Sequence, residues 1–474
     1  MKEKLYVGPK VRLLREQSAL TLEACAERLG MSASYLSQIE TNQRPVTARV
    51  LIALARVFSL DPAEFDVDEE DRLIADLKEA SADLLLGAAA PGFTELKLAA
   101  ATTPALARQF LLLHRAYRGL EQRLRMVDDT LALGRADANH AVLPYEEVRD
   151  FFHYRDNYVH ELDLAAEDIA ARYGFGLGGN STAALEKLLA DLHDVRVVRH
   201  QRNESGSGSS LLRRFDPQLR VLTIDRDLSD PTATFQLATQ FCELQFGDLI
   251  PNILRDVGLK SPAAHAVARV GLSNYAAGAL LMPYKQFAAT ALELRHDVEQ
   301  MQRLYHASFE QICHRLSTLQ RPGARGIPFY FVRVDRAGNI TKRHSSTRFQ
   351  FARFGGACPL WNVHEAFGHP GQILVQLAEM PDGVRYLCVG RAIVKRSGSY
   401  LLPNRHYAVG LGCEAAYAPQ LVYSEGIPLD GPAVRIGVSC RICERTDCPQ
   451  RAFPPVDRNI QVPQNERRVV PYEF

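Results

Sequence analysis

Apolar residues recur every three to four positions through two long stretches of the chain, residues 104–133 and residues 144–172. That period is typical of an amphipathic α-helix. Each stretch therefore predicts a long helix with one apolar face. An exposed apolar face needs a partner, so we expect the two helices to serve as packing and dimerisation surfaces.

A tighter pattern over residues 10–58 predicts four short helices. KVRLLREQ forms the first, and Thr21 is placed to cap the second, TLEACAERL. Gly30 then supplies the left-handed conformation that ends this helix. Ser32 caps the third helix, SASYLSQIE, and ARVLIALARVF closes the core around Leu36.

The order of helix, glycine turn and capped helix predicts a helix-turn-helix, whose second helix enters the DNA major groove by its N-terminal end. The exposed side chains there are hydroxyls, an amide and an aromatic ring, which suit base edges and phosphates. The loop that follows adds an arginine that is placed to meet a phosphate of the operator. The predicted DNA-contacting residues are Thr21, Ser32, Ser34, Tyr35, Ser37, Gln38 and Arg44.

Shorter patterns predict strands in two regions. VRVVRH (195–200), LLRRFD (211–216) and LRVLTID (219–225) are strand-like, and the Gly/Ser-rich segment 203–210 predicts a hairpin loop between the first two. A mostly helical stretch follows, after which IPFYFVRVD, GNITKRH and VRYLCVGRAIV are again strand-like. The fold class expected is mainly α with α+β parts.

The 474 residues are 46% hydrophobic and 23% charged, a globular composition that excludes a disordered or fibrous protein. The chain holds 56 Lys and Arg against 55 Asp and Glu, but their distribution is uneven. Residues 1–60 carry nine basic and five acidic side chains, whereas residues 61–83 carry two basic and ten acidic ones. This change of sign predicts a domain edge near residue 65.

The patterns together predict four segments along the chain. They are a helix-turn-helix domain over 1–65, a helical linker or dimerisation region over 66–140, an α+β domain over 141–322 and an α+β C-terminal domain over 323–474. The sequence shows neither a membrane-spanning apolar run nor the apolar core of a secretory signal. We therefore expect a soluble, cytoplasmic protein without a membrane partner.

Three of the nine cysteines crowd together as Cys440, Cys443 and Cys448 in SCRICERTDCPQRAFP. A C-x2-C pair can chelate a metal from a tight turn, and a proline directly after a cysteine is seen in iron–sulfur ligand runs. A fourth thiolate could come from Cys358 or Cys413, both in glycine-flanked turns. The spacing leaves iron–sulfur, zinc and no metal all open. The remaining cysteines have apolar neighbours and are predicted to be core residues: Cys25, Cys242, Cys313 and Cys388.

The segments FQLATQFCEL (235–244) and SNYAAGALLMPY (273–284) resemble the ImmA/IrrE metallopeptidase-like domain. In that domain an H-E-x-x-H motif supplies two zinc ligands and a general base. Here Thr239, Gln240 and Glu243 stand at those positions. Threonine and glutamine cannot replace imidazole and carboxylate in a tight zinc site. We therefore expect a non-enzyme, and the alternative, a zinc metallopeptidase that cleaves a repressor, is disfavoured.

A fold kept without its chemistry can serve as a binding pocket. Arginines suit the phosphates of a nucleotide-like ligand because they donate two parallel hydrogen bonds. On that ground Arg172, Arg196 and Arg199 are the predicted ligand-binding residues for an acyl-CoA. The alternative is that each of these arginines forms an ordinary surface ion pair.

The N-terminal pattern, from R-x-L-R to S-x-S-Y-L-S-Q-I-E, closely resembles the Xre/phage-repressor helix-turn-helix family. The order of the parts over nearly the whole chain, with CPLWNVHEAF (358–367) and the cysteine-rich tail, resembles the short-chain fatty acyl-CoA regulator (ScfR) family. The resemblance implies a homodimeric bacterial transcription factor that controls short-chain fatty acid metabolism genes in response to an acyl-CoA, propionyl-CoA above all. It also implies a 4Fe-4S iron–sulfur cluster in the tail.

Overall fold

The computed structural model divides into two compact units, Met1–Ala138 with Phe453–Phe474, and Asn139–Ala452. The domain boundaries predicted at 65/66 and 140/141 lie outside the residues that the structure describes. The described residues are 8–18, 20–41, 43–44, 46–47, 50, 53–54, 57–58, 67–81, 91–132, 144–179, 181–200, 211–255, 257–259, 261–349, 351, 357–397, 400–455 and 458–474.

The first unit contains two apolar clusters formed by helices. One cluster lies under the predicted helix-turn-helix and includes Cys25, Leu36 and Ile39, all fully buried. The other joins three longer helices through residues such as Leu77 and Leu111. The helix predicted over 104–133 is confirmed, whereas the helix ARVLIALARVF lies largely outside the described residues. The helices of this unit are Gly8–Gln17, Leu22–Arg28, Ala33–Glu40, Val67–Ser81, Phe93–Thr102 and Pro104–Ala132.

The long helix predicted over 144–172 is wrong, because two helices, Pro144–His153 and His160–Tyr173, occupy that stretch. Asp156 and Asn157 between them have φ of 51° and 57°. An α-helix cannot continue through left-handed residues, and Asp and Asn are the side chains that tolerate this conformation best. The apolar period therefore continues through a point at which one helix ends and the next has not begun, and so it does not reveal the break.

A three-stranded sheet follows, made of β1 (Arg196–His200), β2 (Arg213–Asp216) and β3 (Val221–Asp225). The three predicted strands are confirmed, but the hairpin predicted between the first two is wrong. The strand order is β1-β3-β2, with β1 parallel and β2 antiparallel to β3. β3 takes the centre because its inward residues, Leu222 and Ile224, are fully buried. The loop 203–210 lies outside the described residues.

Four further helices pack with this sheet and with the helices Pro144–His153 and His160–Tyr173 around one apolar core. Asp230–Gln245 and Pro262–Leu281 lie at the centre, and small residues such as Ala268 and Ala276, both fully buried, let the helices approach closely. This packing presents one side of Asp230–Gln245, with Thr239 and Gln240, to the interior. The four helices are Ser181–His193, Asp230–Gln245, Leu249–Arg255 and Pro262–Leu281.

The C-terminal part of the second unit is a six-stranded sheet of order β5-β4-β8-β7-β6-β9. The sequence pattern predicts β4, β5 and β7 but misses β6 and β8. Gly412 in β8 lies against the ring of Tyr330 in β4, where an added Cβ would come within 2.5 Å of the ring. Only glycine fits at this position. The strands are β4 Tyr330–Asp335, β5 Ile340–Ser345, β6 Ile373–Glu379, β7 Arg385–Lys395, β8 Arg405–Glu414 and β9 Val434–Arg435.

Three helices, Tyr284–Glu293, Val298–Tyr305 and Phe309–Leu316, cover one face of this sheet through a second apolar core. The α+β character of the unit confirms the predicted fold class. Among the described helices, none combines the length and the apolar character needed to cross a membrane. Short helical turns complete the connections: Asn362–Glu365, Ala366–Gly368, Ala415–Gln420, Val422–Ser424 and Cys440–Ile442.

A buried ion pair connects the two apolar cores described above, which are two of the three in the second unit. Arg315, which is 2% exposed, donates from Nη2 to Oδ1 of the fully buried Asp163 at 2.6 Å. Tyr275 donates its hydroxyl to the other oxygen of Asp163. The remaining guanidinium donors reach the Met282 carbonyl at 3.0 Å and Thr318 Oγ1 at 3.1 Å. Each charge is therefore paired and hydrogen-bonded, as a buried charge must be.

A second, more peripheral pair repeats this arrangement. Arg321 Nη2 donates to Glu167 Oε2 at 2.7 Å, and its Nε donates to the Tyr158 hydroxyl at 2.9 Å. The guanidinium also lies 4.1 Å from the ring centroid of Tyr284. Two arginines thus attach the segment after residue 308 to the helix His160–Tyr173.

We expect Arg315→Met to lower the free energy of unfolding of the second unit by about 3–5 kcal/mol, because Asp163 would stay buried without its counter-charge. Arg315→Met combined with Asp163→Asn should lower the free energy of unfolding by less, since no buried charge remains. Urea unfolding followed by the fluorescence of Trp361, the one tryptophan of the chain, measures both losses. Equal losses of stability in the single and double variants would contradict the view that Arg315 acts by neutralising the buried Asp163.

Candidate functional site

Two hydroxyl caps define the helices on either side of the turn in the helix-turn-helix. Thr21 Oγ1 accepts a hydrogen bond from the N–H of Ala24 at 3.2 Å, and Ser32 Oγ accepts one from the N–H of Tyr35 at 3.2 Å. Gly30 between the two helices has φ of +67°, a conformation that glycine adopts without strain. Both caps and the glycine turn lie where the sequence predicts them.

A bidentate ion pair fixes the third helix against the first. Arg15 donates from Nε and Nη2 to the Glu40 carboxylate at 2.7 and 2.9 Å, and their side chains are only 14% and 6% exposed. Arg15 also donates to the Leu20 carbonyl at 3.2 Å. No local sequence pattern indicates this pair, because 25 residues separate its members. Its effect is to hold Ala33–Glu40 in place as a rigid element.

The predicted recognition residues lie away from the buried side of Ala33–Glu40. Leu36 and Ile39 are fully buried, so the residues between them turn outward. The side chains available there are polar and uncharged, which favours hydrogen bonding to base edges over simple charge neutralisation. Ser34 is exposed, and the half-buried members of the set are Tyr35, Ser37 and Gln38.

Arg44 is exposed in the loop that follows this helix. Its backbone N–H donates to the Gln38 carbonyl at 3.0 Å, which anchors the loop to the helix end. Its guanidinium lies 5.4 Å from the ring centroid of Tyr35. A cation held over an aromatic ring is pre-oriented, so the guanidinium of Arg44 is held beside the helix Ala33–Glu40.

In the peptidase-like region an arginine contacts two of the three positions at which the H-E-x-x-H motif is missing. Gln240 and Glu243 both contact Arg213 of β2, which donates to Gln240 Oε1 at 2.5 Å and pairs with Glu243 Oε1 at 3.1 Å. Thr239 donates its hydroxyl to the Phe235 carbonyl of its own helix at 2.7 Å. A fixed guanidinium repels a second cation, so these positions hold a salt bridge in place of zinc chemistry.

The predicted acyl-CoA residues lie on the surface of the same region, and two of them already have acidic neighbours. Arg172 donates to Asp168 one turn earlier at 2.7 Å, and its side chain is 62% exposed. Arg199 of β1 donates to Glu186 at 2.7 Å. Arg196 begins the same strand and is exposed. Both ion pairs are exposed and exchangeable, so a polyanion of higher charge can compete for these guanidinium groups.

Four cysteines border one cavity at the C-terminal end of the second unit. Cys358 comes from the loop before the short helix Asn362–Glu365, and Cys440, Cys443 and Cys448 come from the tail. Among the described residues, no three His, Cys, Asp or Glu side chains are arranged to hold a single metal ion as they stand. The four cysteines are shown together only as the lining of this one cavity.

Close backbone packing shapes this cavity. An added Cβ at Gly437 would lie 2.9 Å from Cys443 Sγ, so a side chain at 437 would fill the space beside the sulfur. Burial raises the pKa of Cys358, and the N–H groups of Gly437 and Leu360 oppose that rise by hydrogen bonding to the sulfur. N–H donors to cysteine sulfur are a recurrent feature of thiolate-bound metal centres.

Two arginines hold the cysteine-bearing loop through its carbonyls. Arg451 donates to the Cys440 carbonyl at 2.9 Å and to the Cys443 carbonyl at 3.1 Å. Arg445 donates to the carbonyls of Ile436 at 3.1 Å and Glu379 at 2.7 Å, which ties the loop to strand β6. These contacts show that the two arginines build the loop.

The other predicted candidate for the fourth ligand lies elsewhere. Cys413 sits in the middle of the sheet on β8, opposite Leu387 of β7, and is fully buried. Burial raises its pKa. It does not line the cysteine cavity. The four cysteines predicted to be core residues are buried: Cys25, Cys242, Cys313 and Cys388.

Three family models match successive parts of the chain. A helix-turn-helix domain model matches residues 7–67, and the IrrE N-terminal-like domain model matches residues 190–317. A model described as short-chain fatty acyl coenzyme A regulator, C-terminal, matches residues 318–472. The order is the one that the sequence predicts.

Relatives match over the full length. The chain is 47% identical over 474 residues to the propionyl-CoA carboxylase regulator of Cereibacter sphaeroides, covering 100% of both chains. It is 42% identical to the HTH-type transcriptional regulator RamB of Mycobacterium tuberculosis, covering 99% of this chain and 98% of that one. A solved structure of a Mycobacterium tuberculosis transcriptional regulator is 45% identical, with a TM-score of 0.66, and covers 70% of this chain and 100% of that chain.

These relatives are named as regulators, and the two zinc-ligand positions of the peptidase-like domain are occupied here by Thr239 and Glu243 and its general-base position by Gln240. The protein is therefore not a peptidase but a helix-turn-helix transcriptional regulator with DNA as its partner. With full-length identity above 40% to two such regulators, the chain belongs to the short-chain fatty acyl-CoA regulator family.

Proposed function

We propose that this regulator binds operator DNA as a homodimer, that a short-chain acyl-CoA is its effector, and that an iron–sulfur cluster occupies the cysteine cavity. The observation that carries the DNA-binding step is the recognition helix Ala33–Glu40, capped by Ser32 and locked by the Arg15–Glu40 ion pair. Such a helix keeps its outward side chains in a fixed register against base edges.

Recognition divides between two kinds of contact. The amide of Gln38 can make a bidentate contact with adenine, and the hydroxyls of Ser34 and Ser37 can contact either bases or phosphates. Arg44 supplies the positive charge for a phosphate. Since the chain carries a net charge of only +1, non-specific DNA affinity, which depends on the phosphates neutralised, is modest. Sequence specificity then rests on a few side chains of one helix.

The acyl-CoA effector is supported by the description of the matching C-terminal family model and by the name of the Cereibacter sphaeroides relative. We take propionyl-CoA as the first candidate. Arg172, Arg196 and Arg199 would bind its phosphates. The ligand can shift DNA affinity only if it binds more tightly to one of two conformations, the one that favours or the one that opposes operator binding.

The iron–sulfur proposal is supported by four thiols around a space, the N–H groups aimed at Cys358 and the glycine at 437. A 4Fe-4S cluster needs four ligands spread around a multi-atom body, whereas zinc draws its ligands to one point. We therefore assign the cluster to Cys358, Cys440, Cys443 and Cys448, with zinc as the alternative. When bound, the cluster would supply a one-electron redox centre and cross-link the tail to the loop before Asn362.

We expect the full-length protein to select a specific site from a pool of randomised DNA duplexes. Gln38→Ala should weaken binding to the selected duplex by about 1–3 kcal/mol without changing the affinity for random duplex, because it removes a base contact. Arg44→Ala should weaken both and lower the salt slope of binding by about 1, and Arg44→Lys should keep that slope. Fluorescence anisotropy at several salt concentrations measures these effects. Wild-type affinities in both Gln38→Ala and Arg44→Ala would contradict this recognition surface.

Protein purified without oxygen should show the broad absorption of an iron–sulfur cluster at about 400 nm, which dithionite bleaches. Cys358→Ser should remove one cluster ligand and so lower the iron content. Cys413→Ser is the matched control and should keep both iron and absorption, because Cys413 lies inside the sheet. Colourless protein that carries one zinc would favour the zinc alternative, and loss of iron in Cys413→Ser alone would reverse the ligand assignment.

Calorimetric titration with acetyl-, propionyl- and butyryl-CoA should show binding, with propionyl-CoA the tightest. The double variant Arg172→Ala with Arg199→Ala should weaken binding tenfold or more, since each charged hydrogen bond contributes about 1.5–3 kcal/mol. Arg468→Ala is a matched control, because Arg468 is 58% exposed and also pairs with a glutamate. Equal weakening in the control, or none in the double variant, would place the ligand elsewhere.

A further inference from the structure

The helix Pro104–Ala132 carries two apolar stripes. One of them, with Ala107 and Leu111 at 5% and 2% exposure, packs against the helices Val67–Ser81 and Phe93–Thr102. Arg115 on the same side pairs with Asp76 at 3.6 Å. This side of the helix is therefore used within the chain.

The second stripe points away from that packing. Leu106 is 64% exposed, Leu113 70% and Tyr117 45%. Phe110 lies at the border of the two stripes, because it is half-buried and packs partly against the intramolecular cluster. Exposed leucines that are scattered singly are ordinary on a protein surface, but a continuous apolar stripe marks an interaction site. We therefore expect this stripe to be covered by a binding partner.

The spacing of the stripe identifies the partner as another helix. Its members are separated alternately by four and three residues, and the sequence continues the alternation to the end of the helix. A repeat of seven with two apolar positions is the signature of a coiled coil. The positions d are Leu106, Leu113, Leu120 and Val127, and the positions a are Phe110, Tyr117, Leu124 and Leu131.

The charges beside the stripe favour a second copy of the same helix in parallel orientation. By sequence position Arg123 falls at g and Asp128 at e of the following heptad. In a parallel pair each g residue faces the e residue of the partner's next heptad, so two symmetric Arg–Asp pairs form. An antiparallel pair would set the e positions, Glu121 and Asp128, against each other, and like charges repel.

We propose that residues 106–131 form a parallel two-stranded coiled coil with a second copy of this chain. The proposal deepens, and rests on, the homodimer proposed above. A helix of 29 residues is about 44 Å long at 1.5 Å per residue, enough for nearly four heptads. A parallel coil has its two-fold axis along its length, which relates two recognition helices as an inverted DNA repeat requires.

The decisive comparison uses two adjacent leucines of the full-length protein. Leu113 lies at d, whereas Leu112, which is 52% exposed, lies at c outside the seam. Leu113→Glu should weaken the dimer about a hundredfold or more, since each dimer would carry two carboxylates in its seam. Leu112→Glu should leave the dimer intact. Sedimentation analysis at several concentrations, referred to the 52.8 kDa chain, measures both.

Orientation is tested by charge exchange. Arg123→Glu should weaken the dimer, because the new carboxylate would face Asp128 of the partner subunit, and Arg123→Glu combined with Asp128→Arg should restore it. Restoration supports the parallel pair, and a further loss in the double variant would contradict it. A monomeric wild-type protein, or equal effects of Leu112→Glu and Leu113→Glu, would overturn the coiled coil. If such a monomeric preparation still selected a specific DNA duplex, the proposed DNA-binding function would stand and only the coiled coil would fail. If an intact dimer selected no specific duplex, the proposed DNA-binding function would fail and the coiled coil would stand.

Discussion

The ion pair between Arg315 and Asp163 connects the core around the three-stranded sheet to the core under the six-stranded sheet, and the position of the larger sheet depends on it. Removing two charges from water is costly, and the pair persists because every donor and acceptor around it is used: Tyr275 and the Met282 carbonyl complete the set. Through this pair the helix Phe309–Leu316, which covers the six-stranded sheet, is held to the helix His160–Tyr173. That sheet in turn carries the loop with Cys358 and, through Arg445 and β6, the cysteine tail.

Arginine serves the same purpose at several places in this chain. Its planar guanidinium offers donors in a fixed fork, so that one side chain can connect elements that are distant in sequence. Arg15 fixes the recognition helix, Arg213 joins β2 to Gln240 and Glu243 in the peptidase-like region, and Arg451 holds the cysteine loop through its carbonyls. The second case bears on function, because a salt bridge at two positions of the missing zinc motif stabilises the domain without supplying hydrolytic chemistry.

The helix-turn-helix was predictable because its signals are local. A cap, a glycine turn and an apolar period all lie within a few residues of each other, and the caps at Thr21 and Ser32 form as predicted. The strands β6 and β8 were missed because neither alternates clearly between buried and exposed residues: β6 is mostly half-buried and β8 largely buried. The break at Asp156 and Asn157 was missed because the apolar period does not report backbone conformation. The prediction of a hairpin between β1 and β2 was wrong because β3, whose inward residues are fully buried, lies between them in the sheet.

The sequence by itself determined the recognition helix, the substitution of the zinc-binding residues and the three clustered cysteines, since each depends on residues that lie close together along the chain. The tertiary structure alone decided which distant residues meet them. It placed Cys358 at the cysteine cavity and Cys413 inside the sheet, although both stand in similar glycine-flanked segments. It also paired Arg213 with Gln240 and Glu243. Contacts between residues far apart in sequence follow from the packing of whole elements, and no local pattern encodes that packing.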